Sequence, residues 1–142
     1  MNKSDELKRL CIERLDEAAM EHPSGHQGKL AARYLLKRPD GDVVELMFEK
    51  GPKNPPNLWV TNTRVAELIS QSELQFRLSP ASILFNKKGS DGKPVFGRHS
   101  ALKAMRELGH ADLVCFRITS PDDLDRILGH LLWTCPDLVE NV

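Results

Sequence analysis

Residues Lys29 to Lys50 read KLAARYLLKRPDGDVVELMFEK, two apolar runs either side of Arg38-Pro39-Asp40-Gly41. Proline fixes one φ and glycine accepts a positive one, so these four residues carry the chemistry of a tight turn. Before the turn Leu30, Ala32, Tyr34 and Leu36 alternate with Lys29, Ala31, Arg33 and Leu35, and after it Val43 to Phe48 is rich in β-branched and large apolar side chains. That period of two predicts a β-hairpin.

Upstream of the hairpin, Ser4-Asp5-Glu6 precedes Leu7, Leu10, Cys11, Leu15 and Ala18. A capping serine, an acidic first turn and apolar spacings of three and four predict an amphipathic helix over residues 4–21. Downstream, the prolines at 52, 55 and 56 make a rigid connection, then Asn57 to Val60 reads as a short strand. Asn62 is placed to cap a helix with Val65, Leu68 and Ile69 on its apolar face. Leu74, Phe76 and Leu78 alternate with polar neighbours, which predicts a strand with one buried face.

A helical turn is expected over 81–85, then a basic loop, then a helix capped by Ser100 that presents Leu102 and Met105 and stops at Gly109. Leu113 to Ile118 is an almost unbroken apolar run with Arg117 as the exception, fitting an interior strand. Ser120-Pro121-Asp122-Asp123 opens a last helix with Leu124, Ile127, Leu128, Leu131 and Leu132 as its stripe, and residues 133–142 read as a tail. The element order is α, β, β, β, α, β, α, β, α. It predicts one α+β domain over residues 1–142, a mixed sheet of about five strands with helices mainly on one face.

A chain of 142 residues with 40% hydrophobic and 28% charged residues can bury a core without disulfides or a structural metal. Cys11, Cys115 and Cys135 are odd in number and show no CxxC pair, so reduced thiols are expected. Neither a signal peptide nor an apolar run of membrane-spanning length is present, which predicts a cytoplasmic protein with no membrane partner.

Net charge is zero, yet it is unevenly spread. Residues 83–106 carry Lys87, Lys88, Lys93, Arg98, Lys103 and Arg106 against Asp91 alone. Residues 107–142 carry seven acids against Arg117 and Arg126. Within the basic stretch, a Gly/Lys loop over 86–97, expected to be flexible, leads into Gly97-Arg98-His99-Ser100 at the start of the expected helix. Unpaired N–H groups at a helix start and a two-pronged guanidinium together suit a phosphate or carboxylate. Lys87, Lys88, Lys93, Gly97, Arg98, His99, Ser100 and Lys103 are therefore the expected ligand-binding residues, with no cofactor and no metal. The expected function is non-enzymatic binding of a phosphate-bearing ligand, foremost a nucleic-acid backbone. On this reading Arg98→Ala weakens binding and leaves the fold intact.

Two other readings compete with it. The basic 83–106 segment can pair with the acidic C-terminal region of a second copy, making a homo-oligomer. Alternatively, Asp40, Asp42 and Glu45 can converge on a divalent cation in a phosphodiester hydrolase. Glu45-Leu46-Met47 lacks the lysine that such nucleases place after the glutamate, and Glu49-Lys50 lacks the spacer. The five histidines show no HExxH or paired metal spacing, and no serine sits in a GxSxG elbow.

Overall fold

A computed structural model describes residues 3–26 and 28–133. The elements are α1 (Lys3–Ala18), β1 (Met20–Glu21), β2 (Ala31–Lys37), β3 (Val43–Glu49), β4 (Asn57–Thr61), α2 (Asn62–Gln71), β5 (Gln75–Ser79), β6 (Leu113–Arg117) and α3 (Pro121–Trp133). The hairpin forms as its turn chemistry demands. Lys37 faces Val43 across β2 and β3, the N–H of Arg38 donates to the carbonyl of Asp42 at 2.8 Å, and Gly41 takes φ +91°.

The architecture is α+β, with a six-stranded sheet in the order β1-β2-β3-β4-β6-β5. Every neighbouring pair is antiparallel, where a mixed sheet was expected. The reason lies in β6. Strands β4 and β5 run the same way and are joined by α2, as a parallel crossover would be, but β6 inserts between them and runs opposite to both. The sixth strand is the two-residue β1, which follows α1 where the helix had been expected to continue.

Alternation then assigns each strand residue to one of two faces. Tyr34, Leu36, Val44, Leu46, Phe48, Leu58, Val60, Val114 and Phe116 meet Cys11 and Leu15 of α1, Val65 and Leu68 of α2, and the Leu124, Ile127, Leu128 and Leu131 stripe of α3. The three α-helices of the described residues all lie on this face. Full burial of each such side chain is worth about 1.5–3 kcal/mol before entropy, so this layer dominates stability. Strand β5 departs from expectation, because Phe76 and Leu78 are 41% and 58% exposed. They do share a face, but β5 is the last strand and α2 lies over β4 and β6, so the helical layer stops short of them. Helix α2 also starts without a side-chain cap. Thr61 is its N-cap residue, and the hydroxyl of Thr61 donates to Glu107 at 3.0 Å instead.

The opposite face carries a second, smaller core in which Ala101, Leu102, Met105 and Leu108 cover Ala31, Met47, Trp59, Leu113 and Cys115. Its cover is the stretch expected to be a helix from Ser100 to Gly109, of which only a single 3₁₀ turn, Ser100–Leu102, forms. The N–H groups of Arg106, Glu107 and Leu108 would bond carbonyls one turn back in a helix. They donate instead to the carboxylate of Glu45, at 3.2, 2.5 and 3.0 Å. A long-range acceptor has outcompeted the local ones. Among the described residues no helix is long and apolar enough to cross a membrane.

Candidate anion-binding surface

The basic stretch closes on itself as a hairpin. The N–H of Val95 donates to the carbonyl of Lys87 at 2.9 Å, and the N–H of Gly89 to that of Lys93 at 2.8 Å, with Lys88 bridged to Pro94 between them. At the tip Gly92 takes φ +79°, a conformation open to glycine at little cost, and Asp91 turns its carboxylate inward to accept the N–H of Lys93 at 3.0 Å. Lys87, Lys88 and Lys93 are left exposed on this finger, and Lys103 is exposed on the cover segment. Among the described residues none of these four ammonium groups is in an ion pair. An aromatic cluster anchors the base of the finger, with Phe85, Phe96 and His110 ring centroids 6.0–6.3 Å apart. Phe96 packs onto the second core, while Phe85 remains half exposed.

Gly97, Arg98, His99 and Ser100 sit differently from their expected arrangement, because the helix they were to open is absent. Gly97 runs so close to β5's outgoing loop that an added Cβ would lie 2.8 Å from the carbonyl oxygen of Leu84, to which its own N–H donates. Arg98 donates to the hydroxyl and the carbonyl of Ser79, at 2.9 and 2.6 Å, and more weakly to the carbonyls of Leu108 and Gly109. It thus ties the end of β5 to the end of the cover segment, and Arg98→Ala removes a structural tie along with a charge. All four of these acceptors are neutral. Burial pulls the guanidinium below its usual pKa, with Asp112 opposing that pull electrostatically. Gly97 and Arg98 still line a small cleft of about 230 Å³ together with Lys87 and Asn86. His99 accepts the N–H of Ala101 on Nδ1 at 3.1 Å, and Ser100 opens the 3₁₀ turn.

The hairpin carboxylates go to separate partners. Asp40 accepts the N–H of Asp42 and pairs with Arg38, and Asp42 pairs with Arg64 at 3.0 Å. The backbone bond chiefly, and Arg38 after it, hold the Asp40 carboxyl below the usual range, and Arg64 does the same for Asp42. Glu45 is buried in the nest already described, joined to Asp42 only indirectly, through Glu107 and Arg64. Its Oε2 also meets His22 Nε2 at 2.6 Å, and His22 Nδ1 accepts the N–H of Ser24, which fixes the tautomer with the proton on Nε2. Among the described residues no group of three or more His, Cys, Asp or Glu is placed to hold a metal ion. Burial raises the thiol of Cys11 to about 11 and that of Cys115 to about 12, so both stay protonated near neutrality.

Much of the acidic segment is engaged within the chain. Glu107 pairs with Arg64 at 2.7 Å, Asp112 accepts the N–H of Ala81 at 2.7 Å, Asp123 accepts from Thr119, and Asp125 pairs with Arg14. The tail was expected over 133–142, but Trp133 is the last residue of α3, and residues 134–142, Asp137 and Glu140 among them, lie outside the described residues. His110, which completes the aromatic anchor, and His22, which completes the Glu45 nest, carried no sequence signal, since each gains its role from residues far along the chain. No family model matches this chain, and neither a curated protein nor a solved structure does.

Proposed function

We propose that this domain binds a phosphate-bearing ligand, a nucleic-acid backbone in particular, through the lysine finger, without catalytic turnover. The observation that carries the reading is the placing of Lys87, Lys88 and Lys93 on a backbone-bonded hairpin, exposed and without ion pairs among the described residues. Lysines held this way contribute point charges that release counterions when they meet phosphates. Lys103 and the partly buried charge of Arg98 extend the positive field, and half-exposed Phe85 offers one stacking surface beside it. Such a surface favours phosphate spacing over base identity, so it predicts affinity with little sequence discrimination.

The test is fluorescence anisotropy with short single- and double-stranded DNA and RNA across a salt series. Binding is expected to weaken linearly on a log–log plot, and alanine at positions 87, 88 and 93 together is expected to flatten the slope by about one for each lysine that touches a phosphate. No binding at low salt, or an unchanged slope in the triple variant, overturns the reading.

A further inference from the structure

The second core covers only one end of its sheet face. At the other end the strand register lays a polar row across four strands: Glu49 on β3 opposite Asn57 on β4, Asn57 opposite Arg117 on β6, and Arg117 opposite Gln75 on β5. One step along β5 on the same face, Arg77 reaches across the strand of Cys115 to lie 5.1 Å from the centre of the Trp59 ring. Glu49, Asn57, Gln75, Arg77, Cys115 and Arg117 line a cleft of about 430 Å³ here, with Asn54 on its rim.

The charges in this cleft are incomplete. Glu49 is only 6% exposed, yet among the described residues its one side-chain hydrogen bond is from the neutral amide of Asn57, at 2.6 Å. A carboxylate has about four acceptor positions, and a buried one ordinarily meets a cation or several donors. Both arginines line the same cleft, but among the described residues neither comes within ion-pair distance of Glu49. The guanidinium of Arg117 has no side-chain hydrogen bond or ion pair among the described residues. Adjacent strands are about 4.8 Å apart, so the backbones of Glu49 and Arg117, with β4 between them, are separated by roughly 10 Å. The cleft that Glu49 and Arg117 line has the volume to admit a small molecule with opposite charges at its ends.

We propose that this cleft binds a small zwitterion of the amino-carboxylate class, its ammonium received by Glu49 and its carboxylate gripped by Arg117 and Arg77. The carboxylate–guanidinium fork supplies the directional contact, and the amides of Asn54, Asn57 and Gln75 orient the body of the ligand. A simple phosphate is disfavoured by the buried Glu49, and a simple amine by the two guanidiniums. Burial raises the thiol of Cys115, so it lines the cleft in its protonated form near neutrality. The cleft lies at the Gln75 end of β5, whereas the lysine finger follows the Ser79 end, so the two sites are separate.

The experiment is isothermal titration calorimetry of the full chain against a panel of common α-amino acids, with acetate, ethylamine and inorganic phosphate as single-charge controls. At least one amino acid is expected to bind about tenfold or more tightly than any control, and Glu49→Gln and Arg117→Ala are each expected to weaken it by about tenfold or more. Glu49→Gln keeps an acceptor for Asn57 and Arg117 is exposed, so thermal melts of both variants should still show a cooperative unfolding transition. The proposal is overturned if no amino acid gives heat at millimolar concentration, if a control binds as well, or if affinity survives in either variant.

Discussion

Glu45 and Glu49 stand four residues apart on β3, point to the same side of the sheet and are each 6% exposed. Their surroundings differ completely. Glu45 receives three backbone N–H groups and the Nε2–H of His22, so every direction in which it could accept is supplied from within the chain. Among the described residues Glu49 receives one amide, and it borders an open cleft. Equal burial therefore carries two meanings. A carboxylate enclosed by donors is a fastener holding a loop, and one left with acceptor capacity in a cleft shared with the guanidinium of Arg117 is open to a contact from outside.

The hardest blow to this contrast comes from Glu45→Ala. It strands three N–H groups beneath the cover segment and removes the acceptor for His22, and each unsatisfied buried group costs about 1–3 kcal/mol. A loss of about 4 kcal/mol in urea unfolding is expected, together with lost hydrogen-exchange protection at the amides of residues 106–108. A loss below about 1 kcal/mol would mean that the apolar contacts of Leu102, Met105 and Leu108 hold the cover alone, and Glu45 would then be no different in kind from Glu49.

A gentler probe is His22→Ala, which leaves the three N–H bonds in place and removes one hydrogen bond to a charged acceptor. Such a bond is worth about 1.5–3 kcal/mol, so the expected loss in the same assay is about 2 kcal/mol. Protection at 106–108 is expected to survive. If it disappears as fully as in Glu45→Ala, the nest depends on the imidazole for its shape, and the two elements act as one unit.

These two residues also mark where local reading stops. The hairpin was legible because Pro39-Asp40-Gly41 and the alternation around it act within a few residues, and the α3 stripe was legible for the same reason. Ser100 to Gly109 looks helical by itself. It fails to be so because Glu45, some sixty positions earlier, takes the N–H groups that a helix needs. Phe76 and Leu78 were placed on a common face correctly, but alternation does not reveal that a strand will lie at an edge beyond the helical layer. At the candidate surface the lysines were legible as charge. Arg98 was not legible as a tie, since its acceptors come from Ser79 and from the carbonyls of residues 108 and 109. Arg117 did stand out as the one charge in an apolar strand, and it is the residue on which the zwitterion cleft turns.

The smallest effect is expected where the contrast is most informative, at Glu49→Gln. The side-chain carbonyl of glutamine can accept the Asn57 amide as the carboxylate does, and among the described residues no backbone N–H depends on this side chain. Removing the charge also relieves the desolvation of a buried carboxylate that has one neutral donor among the described residues, which offsets part of any loss. Stability in urea is therefore expected to change by less than about 1 kcal/mol, with either sign allowed by that balance. A loss approaching that of Glu45→Ala would show that Glu49 is held as a charge by the fold itself. Its acceptor capacity would then already be in use, and the cleft would be a packing feature with nothing left to offer a ligand.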